Sequence, residues 1–418
     1  MKIYNIETQG NILLHNLGVN SSTPYFRHAI AEMKTLAMLH PQMPVGKIAM
    51  RTKDGIAIAN GTDTYLLVNE TVIEKRNGDG ILFQYQGEPW TYIPDAHDPS
   101  MWSDLELGDQ DKTIDSVIAA LMADEMTPLT SISGEHQTGK STVARCILYA
   151  IYGRNMDVTP IPTSDRGLRT ILASEKVMAF DNVEKAESFF HDTICMAVTR
   201  AKIKDRKLNC NKETVEMELN NMIIVTSIDD TSMLRDDVIS RSVYIRTEKK
   251  ENKRHEKELY ATILSKRNQY LSYLAEVIKA AYAKPLVKHH RLVGWATLAH
   301  EIGLDDKFFK TLDSTANDKL SDAVPLVDII KSYIEAGNMP HEEGEQFHGE
   351  LLVFLKMRLN PEAIRHFPSS WRKMSKIMQR HAELIKKETG LSVENRGKNI
   401  ALKYISLSHG VTTCNSVV

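Results

Sequence analysis

Residues 23–40, TPYFRHAIAEMKTLAMLH, place apolar residues at helical spacing and stop before Pro41 and Pro44, which predicts one helix. From Val45 to about Ile93 the character changes. Short apolar segments, KIAMR, GIAIAN, TYLLVN and ILFQYQ, are separated by KDG, NGTD and NGDG, which are hairpin and turn signals. A small β-rich unit is expected there. The stretch DAHDPSMWSDLELGDQD, rich in Asp and turn formers, reads as a link from that unit to the next part of the chain.

Between about 110 and 247 strands and helices alternate. DKTIDSVIAALMA reads as a helix, PLTSIS as a buried strand, and Lys140 to Tyr152 as a helix. RGLRTILAS is a helix, KVMAF a strand, SFFHDTICMAVTR a helix, and NMIIVTS and VYIR strands. That alternation implies a largely parallel α/β sheet with a glycine-containing loop at the carboxyl end of one strand. The run EKKENKRHEK, Glu248–Lys257, reads as a solvated helix start or linker. Residues 258–358 read as mostly helical, and the final segment as a small helical module ending in two strands. The expected divisions are 1–100 (helix plus β-rich unit), 101–250 (α/β core), 251–358 (helical) and 359–418 (basic module).

Composition narrows the class. The 418 residues are 42% hydrophobic and 25% charged, with net charge −2, as in an ordinary globular chain of two or three domains. Basic surface for nucleic acid must therefore be local. Cys146, Cys195, Cys210 and Cys414 form no CxxC pair, so neither a disulfide framework nor a zinc site is expected. The doublet His289-His290 lacks metal-ligand spacing and reads as solvated or core histidine. The N-terminus lacks a signal-peptide pattern, and no apolar run is long enough to span a bilayer. A cytoplasmic location without membrane contact is expected.

The most specific chemistry lies in SISGEHQTGKST. Gly134-x-x-x-x-Gly139-Lys140-Ser141 matches the Walker A pattern of a phosphate-binding loop. Its glycines let the backbone curl so that amide groups of Gly134, Glu135, His136, Gln137, Thr138 and Gly139 face phosphate oxygens. Thr142 opens the following helix with Lys140 and Ser141. Lys140 is expected to reach the β- and γ-phosphates of ATP and Ser141 to hold Mg²⁺. Forty residues after Lys140, VMAF ends in Asp181, which as in P-loop ATPases is expected to sit beside the first strand and hold Mg²⁺ through water. Asn182 follows, where hydrolytic ATPases often place Glu; an amide orients water but accepts no proton. Glu184 is an alternative base. Thr226 ends a third strand within reach of the γ-phosphate or the lytic water. Arg241, ahead of Arg235, is the candidate to complete a neighbouring subunit's site; an ion pair with the nearby aspartates is the alternative.

With GEHQTGKST, VMAFDNVE, IIVTSIDD and LRDDVISRSVYI in order, the chain resembles the ATPase part of phage and plasmid primase–helicases. These are AAA+-like proteins related to the superfamily-three helicases. RTKDGIAIANGTDTYLLV resembles the β-rich segment preceding that ATPase, RLVGWATLAHEIGLDDKFFKTLD the helical segment after it, and FPSSWRKMSKIMQRHAELIKKETGLSVENRGKNIALKYISL a winged-helix-like end. The likeness spans about 45–408. It implies an α/β P-loop ATPase (AAA+-like) core with an N-terminal β-rich unit and a C-terminal helical/winged-helix-like region. It also implies a hexamer with ATP between subunits. Thr226 stands where many relatives have Asn. Residues before 45 are too few for a primase domain, so priming is not carried over.

Two basic stretches are candidates for DNA. Lys202, Lys204, Arg206 and Lys207 lie between the second and third core strands, where a returning strand would make a hairpin. It resembles the pore hairpin of ring helicases; a solvated charged hairpin is the alternative. Residues 366–408 carry nine basic residues, among them Arg372, Lys373, Lys376, Arg380, Arg396 and Lys398, against three glutamates. That suits a helix-plus-wing DNA contact or a solubilising surface. The expected function is an ATP-dependent replicative DNA helicase of a phage or other mobile element. It would act on single-stranded DNA, with a separate primase or other replication proteins as further partners. The rival is an initiator or helicase loader using ATP as an assembly switch.

Overall fold

The tight turns read from KDG and NGTD close successive antiparallel hairpins: β2 (Ala49–Thr52), β3 (Gly55–Asn60), β4 (Thr64–Val68) and β5 (Val72–Arg76) lie in one sheet in chain order. The computed structural model describes residues 23–39, 43–183, 187–206, 214–228, 236–249, 254–287, 290–312, 331, 391–396 and 399–404. Gly55 opens β3 at φ +143°, and a Cβ there would stand 2.5 Å from the Val68 carbonyl oxygen, so the turn requires glycine. Before this sheet come α1 (Pro24–Leu39) and β1 (Val45–Gly46), which pairs in parallel with β6 (Leu82–Phe83).

The α/β part begins with α2 (Asp111–Met122), β7 (Leu129–Ser133) and α3 (Lys140–Tyr152). It continues through α4 (Asp165–Ser174), β8 (Val177–Phe180), α5 (Ser188–Val198), β9 (Lys202–Arg206) and β10 (Thr214–Glu218). Then come β11 (Met222–Ser227), the short α6 (Asp236–Ile239) and β12 (Ser242–Arg246). The sheet order is β12-β7-β11-β8 with every pair parallel, and Thr159 bridges Phe180 on the outer edge of β8. One expectation is corrected here. The Asp181 strand does not lie beside the first strand, because β11 is inserted between them. Strands β7, β8 and β11 are buried along their whole length, as the apolar runs of VMAF and MIIVTS require of a sheet covered on both faces, with the small hydroxyl residues Thr130, Ser131 and Ser133 buried in β7.

Two helices close the first unit, α7 (Glu256–Tyr282) and α8 (Val293–Ile302), packed on α2 and α3. One hydrophobic core runs from Ile58 and Leu66 of the meander through Ile132 and Phe180 of the parallel sheet to Leu274 and Trp295. Residues up to Leu312 form one compact unit.

Three charged groups in and beside this core are tied down by hydrogen bonds. Asp115 accepts from Trp102 Nε1 and Tyr270 Oη, each at 2.7 Å. Arg267, 3% exposed, donates to the carbonyls of Ala150 and Ile151 at the end of α3, to those of Glu88 and Pro89, and to Tyr85 Oη. Asp124 gathers the Arg51 N–H, Arg200, Lys176 and Asn220 at the amino edge of the parallel sheet. Burial lowers the Lys176 pKa to about 8, against the pull of Asp124. The half-buried His290 packs its ring against Trp295 at 5.0 Å.

The second unit begins at Asp313. Besides the helical Lys331, its described backbone is a hairpin, β13 (Leu391–Arg396) and β14 (Asn399–Tyr404), paired from Leu391 with Tyr404 to Arg396 with Asn399. The two terminal strands expected from the sequence are these. Apart from Lys331, the helices expected over 313–358 and 359–390 lie outside the described residues, as do Glu184, Lys207, Cys210, Arg235, His289, Arg372, Lys373, Lys376, Arg380, Lys398 and Cys414.

Candidate nucleotide site

The site grows from the end of β7. Ser133 closes the strand, Gly134 turns at φ +154°, Gln137 takes the left-handed region at φ +64°, and Gly139 at φ +88° leads into α3. A Cβ on Gly134 would stand 2.3 Å from Thr247 O and 2.5 Å from Thr247 Oγ1. The loop is thus pressed against the residue that follows β12. Thr138 fastens it there, its hydroxyl 2.7 Å from that of Thr247. Lys140 folds back across the loop and donates to the carbonyls of Gly134 and Glu135 at 2.7 Å each. Burial lowers the Lys140 pKa, while the charge of Asp181 works to raise it.

Below the loop three side chains converge. Ser141 Oγ donates to Asp181 Oδ1 at 2.7 Å, and Thr226 Oγ1 donates to the same oxygen at 2.5 Å. Thr226 Oγ1 also accepts the Asn182 N–H at 2.9 Å, and Val183 N–H donates to Thr226 O at 2.8 Å. Asn182 holds φ +52°, a left-handed bend that asparagine tolerates. Because β11 lies between β7 and β8, it is Thr226 that touches Asp181 from the neighbouring strand. Lys140, Ser141, Asp181, Asn182 and Thr226, chosen from three separate motifs, come together at one carboxyl edge.

A cavity of about 270 Å³ opens beside the loop. Leu105, Leu107, Val143 and Leu259 give it apolar walls; Gln137, Thr138, Gly139 and Thr142 form its loop side. Asp104, Arg254 and Glu256 bring charge to it, with Arg254 Nη1 2.6 Å from Asp104 Oδ2 and Thr142 donating to Glu256 at 3.0 Å. None of these wall residues was singled out from the sequence. Asp104, Leu105 and Leu107 sit in the stretch read as a link, and Arg254 and Glu256 in the charge run read as solvated. The hydrophobic pair Leu105 and Leu107 inside an Asp-rich segment was the available signal.

Arg241 lies at the far end of the sheet. Its carbonyl accepts from Leu129 N–H at the amino end of β7, a strand length of about 16 Å from the loop. Its guanidinium donates to Asp237 O and, at 3.8 Å, to Cys195 Sγ. Arg241 therefore does not join the site of its own chain.

The hairpin expected after the second core strand is present as β9–β10. Lys202 and Lys204 are exposed, but the register sets Lys202 opposite Glu218 and Lys204 opposite Glu216. Arg206 ends β9 opposite Thr214. The basic row is therefore matched by an acidic one. Arg396 sits at the turn end of β13.

Residues 110–307, from the start of α2 to just past α8, match the family model described as actinomycete integrative conjugative element replication protein. That family is described for a conjugative element, which falls within the phage or other mobile element expected from the sequence. No curated protein matches the chain. Among solved structures it is similar to the SCCmec type IV Cch helicase, at 15% identity and TM-score 0.45, covering 79% of this chain and 72% of that one. It is also similar to the NrS-1 C-terminal region, at 15% identity and TM-score 0.45, covering 96% and 90%. An inhibitor-bound JCV helicase matches at 13% identity and TM-score 0.26, covering 52% and 64%. Among the described residues, no helix is long and apolar enough to cross a membrane.

Proposed function

We propose that this protein is an ATP-hydrolysing DNA motor for replication of a mobile element, a helicase with an AAA+-like, superfamily-three-related core. The observation carrying the proposal is the convergence of Ser141 and Thr226 on Asp181 Oδ1 under the Gly134–Gly139 loop. The match of residues 110–307 to a replication-protein family supports the setting.

ATP fits this edge. The loop amides and Lys140 suit the phosphates, and the cavity with Leu105, Leu107, Val143 and Leu259 suits the nucleoside. Ser141 and Asp181 offer adjacent hard oxygen donors for Mg²⁺, whose charge offsets that of the phosphates when bound. Lys140 would exchange its two loop carbonyls for phosphate oxygens. Asn182 would orient the water that breaks the terminal phosphoanhydride bond, and Thr226 would keep Asp181 aimed while the Asn182 backbone stays fixed. Arg241, remote from its own loop, would act on the nucleotide of an adjacent subunit, which makes a closed ring, with six subunits implied by the resemblance, the natural assembly.

DNA would be gripped by the β9–β10 hairpin, through Lys202, Lys204, Arg206 and Lys207, and by the basic C-terminal residues Arg372, Lys373, Lys376, Arg380, Arg396 and Lys398. The acidic row on β10 shifts the weight toward the C-terminal set. The deciding experiment is ATP turnover with and without single-stranded DNA, in wild type and Lys140→Ala. DNA-stimulated turnover lost in the variant supports the proposal, and no turnover under either condition sinks it.

A second reading, ATP as an assembly switch for an initiator or loader, is favoured by Asn182, whose amide accepts no proton. Strand displacement separates the two: assembly on DNA without unwinding establishes the switch.

A further inference from the structure

Two hydroxyls packed against the Gly134–Gly139 loop have more partners than protons. Thr138 Oγ1 stands 3.0 Å from Glu135 O and 2.7 Å from Thr247 Oγ1, and Thr247 Oγ1 stands 3.0 Å from Ser133 O. Both side chains are 6% exposed. A hydroxyl carries one proton and two lone pairs, so the two protons fill only two of these three contacts at a time. Which contact stays empty depends on the other donors that the carbonyls have. Ser133 O also accepts the Thr247 N–H at 2.8 Å, and Glu135 O also accepts from Lys140 Nζ at 2.7 Å.

While Lys140 serves Glu135 O, the Thr138 proton is free for Thr247 Oγ1 and the Thr247 proton for Ser133 O. A second arrangement needs only two hydroxyl rotations. Thr138 then donates to Glu135 O, Thr247 donates to Thr138 Oγ1, and Ser133 O keeps its N–H donor. Every heavy atom stays where it is. The pair also has little room to shift, since a Cβ on Gly134 would stand 2.8 Å from Thr138 Oγ1 and 2.5 Å from Thr247 Oγ1.

We infer that Thr138 is a positioning residue of the nucleotide site, its hydroxyl resting on Thr247 and turning to Glu135 O when Lys140 leaves that carbonyl for phosphate. The carbonyl keeps a donor while the lysine is released, and the loop holds one shape in both states. The inference rests on the nucleotide site proposed above and adds to it Thr247, the residue after β12, as the resting acceptor.

The test compares Thr138→Val with Thr247→Val in the full chain. Both lose the same hydroxyl–hydroxyl bond and keep the branched shape, but only Thr138→Val also takes the waiting donor from Glu135 O. Calorimetric titration with the magnesium complex of AMPPNP should show Thr138→Val binding about 5- to 10-fold more weakly than Thr247→Val. Glu135 is exposed, which sets the effect at the low end for an acceptor left without its donor. The Tm of the ligand-free chain should fall by the same amount in both variants. In ATP turnover Thr138→Val should raise KM and keep kcat within about 2-fold, because its hydroxyl bonds Glu135 and Thr247 rather than Asp181. Thr138→Ser restores the hydroxyl and should bind like wild type. If a valine variant folds poorly, Thr138→Ala against Thr247→Ala makes the same comparison. Equal affinity within the pair, or Thr138→Ser as weak as Thr138→Val, overturns the inference, and ATP turnover by wild type then leaves the proposed function standing. A wild-type chain that binds no AMPPNP overturns both.

Discussion

The Thr226 hydroxyl stands 2.5 Å from Asp181 Oδ1 and at the same time accepts the Asn182 N–H. One hydroxyl therefore fixes both the carboxylate and the backbone of the residue after it. Replacing Thr226 by Val keeps the β-branched shape and removes both bonds. On the proposed mechanism ATP turnover is expected to fall by about 10- to 100-fold, through kcat rather than KM, because there the bond aims Asp181 and lies away from the cavity proposed for the nucleoside. Thr226→Ser should retain most activity. Steady-state ATPase kinetics of the two variants check this, and equal losses in both would refute the role.

Gly134 and Gly139 differ in what surrounds them. A Cβ on Gly134 collides with Thr247 O at 2.3 Å, whereas one on Gly139 meets nothing within 4 Å. Both hold positive φ, so Gly139→Ala carries only backbone strain of about 1–2 kcal/mol. Gly134→Ala must in addition push the loop off Thr247 and should cost more. Differential scanning fluorimetry with and without ATP reads both: the rise in Tm on adding ATP should vanish for Gly134→Ala and shrink only partly for Gly139→Ala.

How much of the fold and site was legible in the sequence depended on distance along the chain. The loop, its helix and the strand ending in Asp181 are local, and their motifs placed them within a residue or two. The insertion of β11 between β7 and β8 is a choice among strands of similar apolar character, and nothing in MIIVTS announces it. Arg267 and Asp115 were invisible for a related reason. Each lies on a helix where a single charged residue reads as the solvated face, and their partners are 155 residues away for Asp115 and Tyr270, and 117 for Arg267 and Ala150. The cavity wall at Leu105 and Leu107 was missed because turn formers around it masked two buried leucines.

Asp115 makes stability depend on pH. Burial raises its pKa from 3.8 to about 7, against the two hydrogen bonds from Trp102 and Tyr270, which favour the charged form. Between pH 4 and 7 the native chain keeps this proton and the unfolded chain has released it. The native state binds more protons, so stability falls as pH rises through that window, by at most about 1.4 kcal/mol per pH unit from this group, and levels off above 7. Asp115→Asn preserves an acceptor for both donors and should flatten the dependence, leaving the variant more stable than wild type at pH 8. Urea midpoints across pH 5 to 8 decide it; parallel profiles would refute the assignment.

Arg267 ties two parts of the first unit to its own helix with one buried guanidinium. Nε donates to Ala150 O at 3.0 Å and Nη2 to Ile151 O at 3.0 Å, capping the last turn of the helix that begins at Lys140. The remaining donors hold Pro89 O at 3.2 Å and Glu88 O at 3.0 Å, in the chain leading from the meander. Burial lowers its pKa, yet its charge sits at the negative end of a helix dipole. Arg267→Met keeps the volume but takes the donor from the buried Ala150 carbonyl and weakens the hold on Ile151, Glu88 and Pro89, so a loss of about 1–3 kcal/mol is expected. Arg267→Lys should fail to rescue, since a single ammonium cannot reproduce the planar fork that reaches both segments. Because α3 carries Lys140 and Ser141 at its other end, loosening its last turn should also raise the KM for ATP while wild-type kcat is largely kept. Urea unfolding and ATPase kinetics on both variants test this, and a lysine variant as stable as wild type would show that the charge alone, rather than the geometry of the fork, secures the helix.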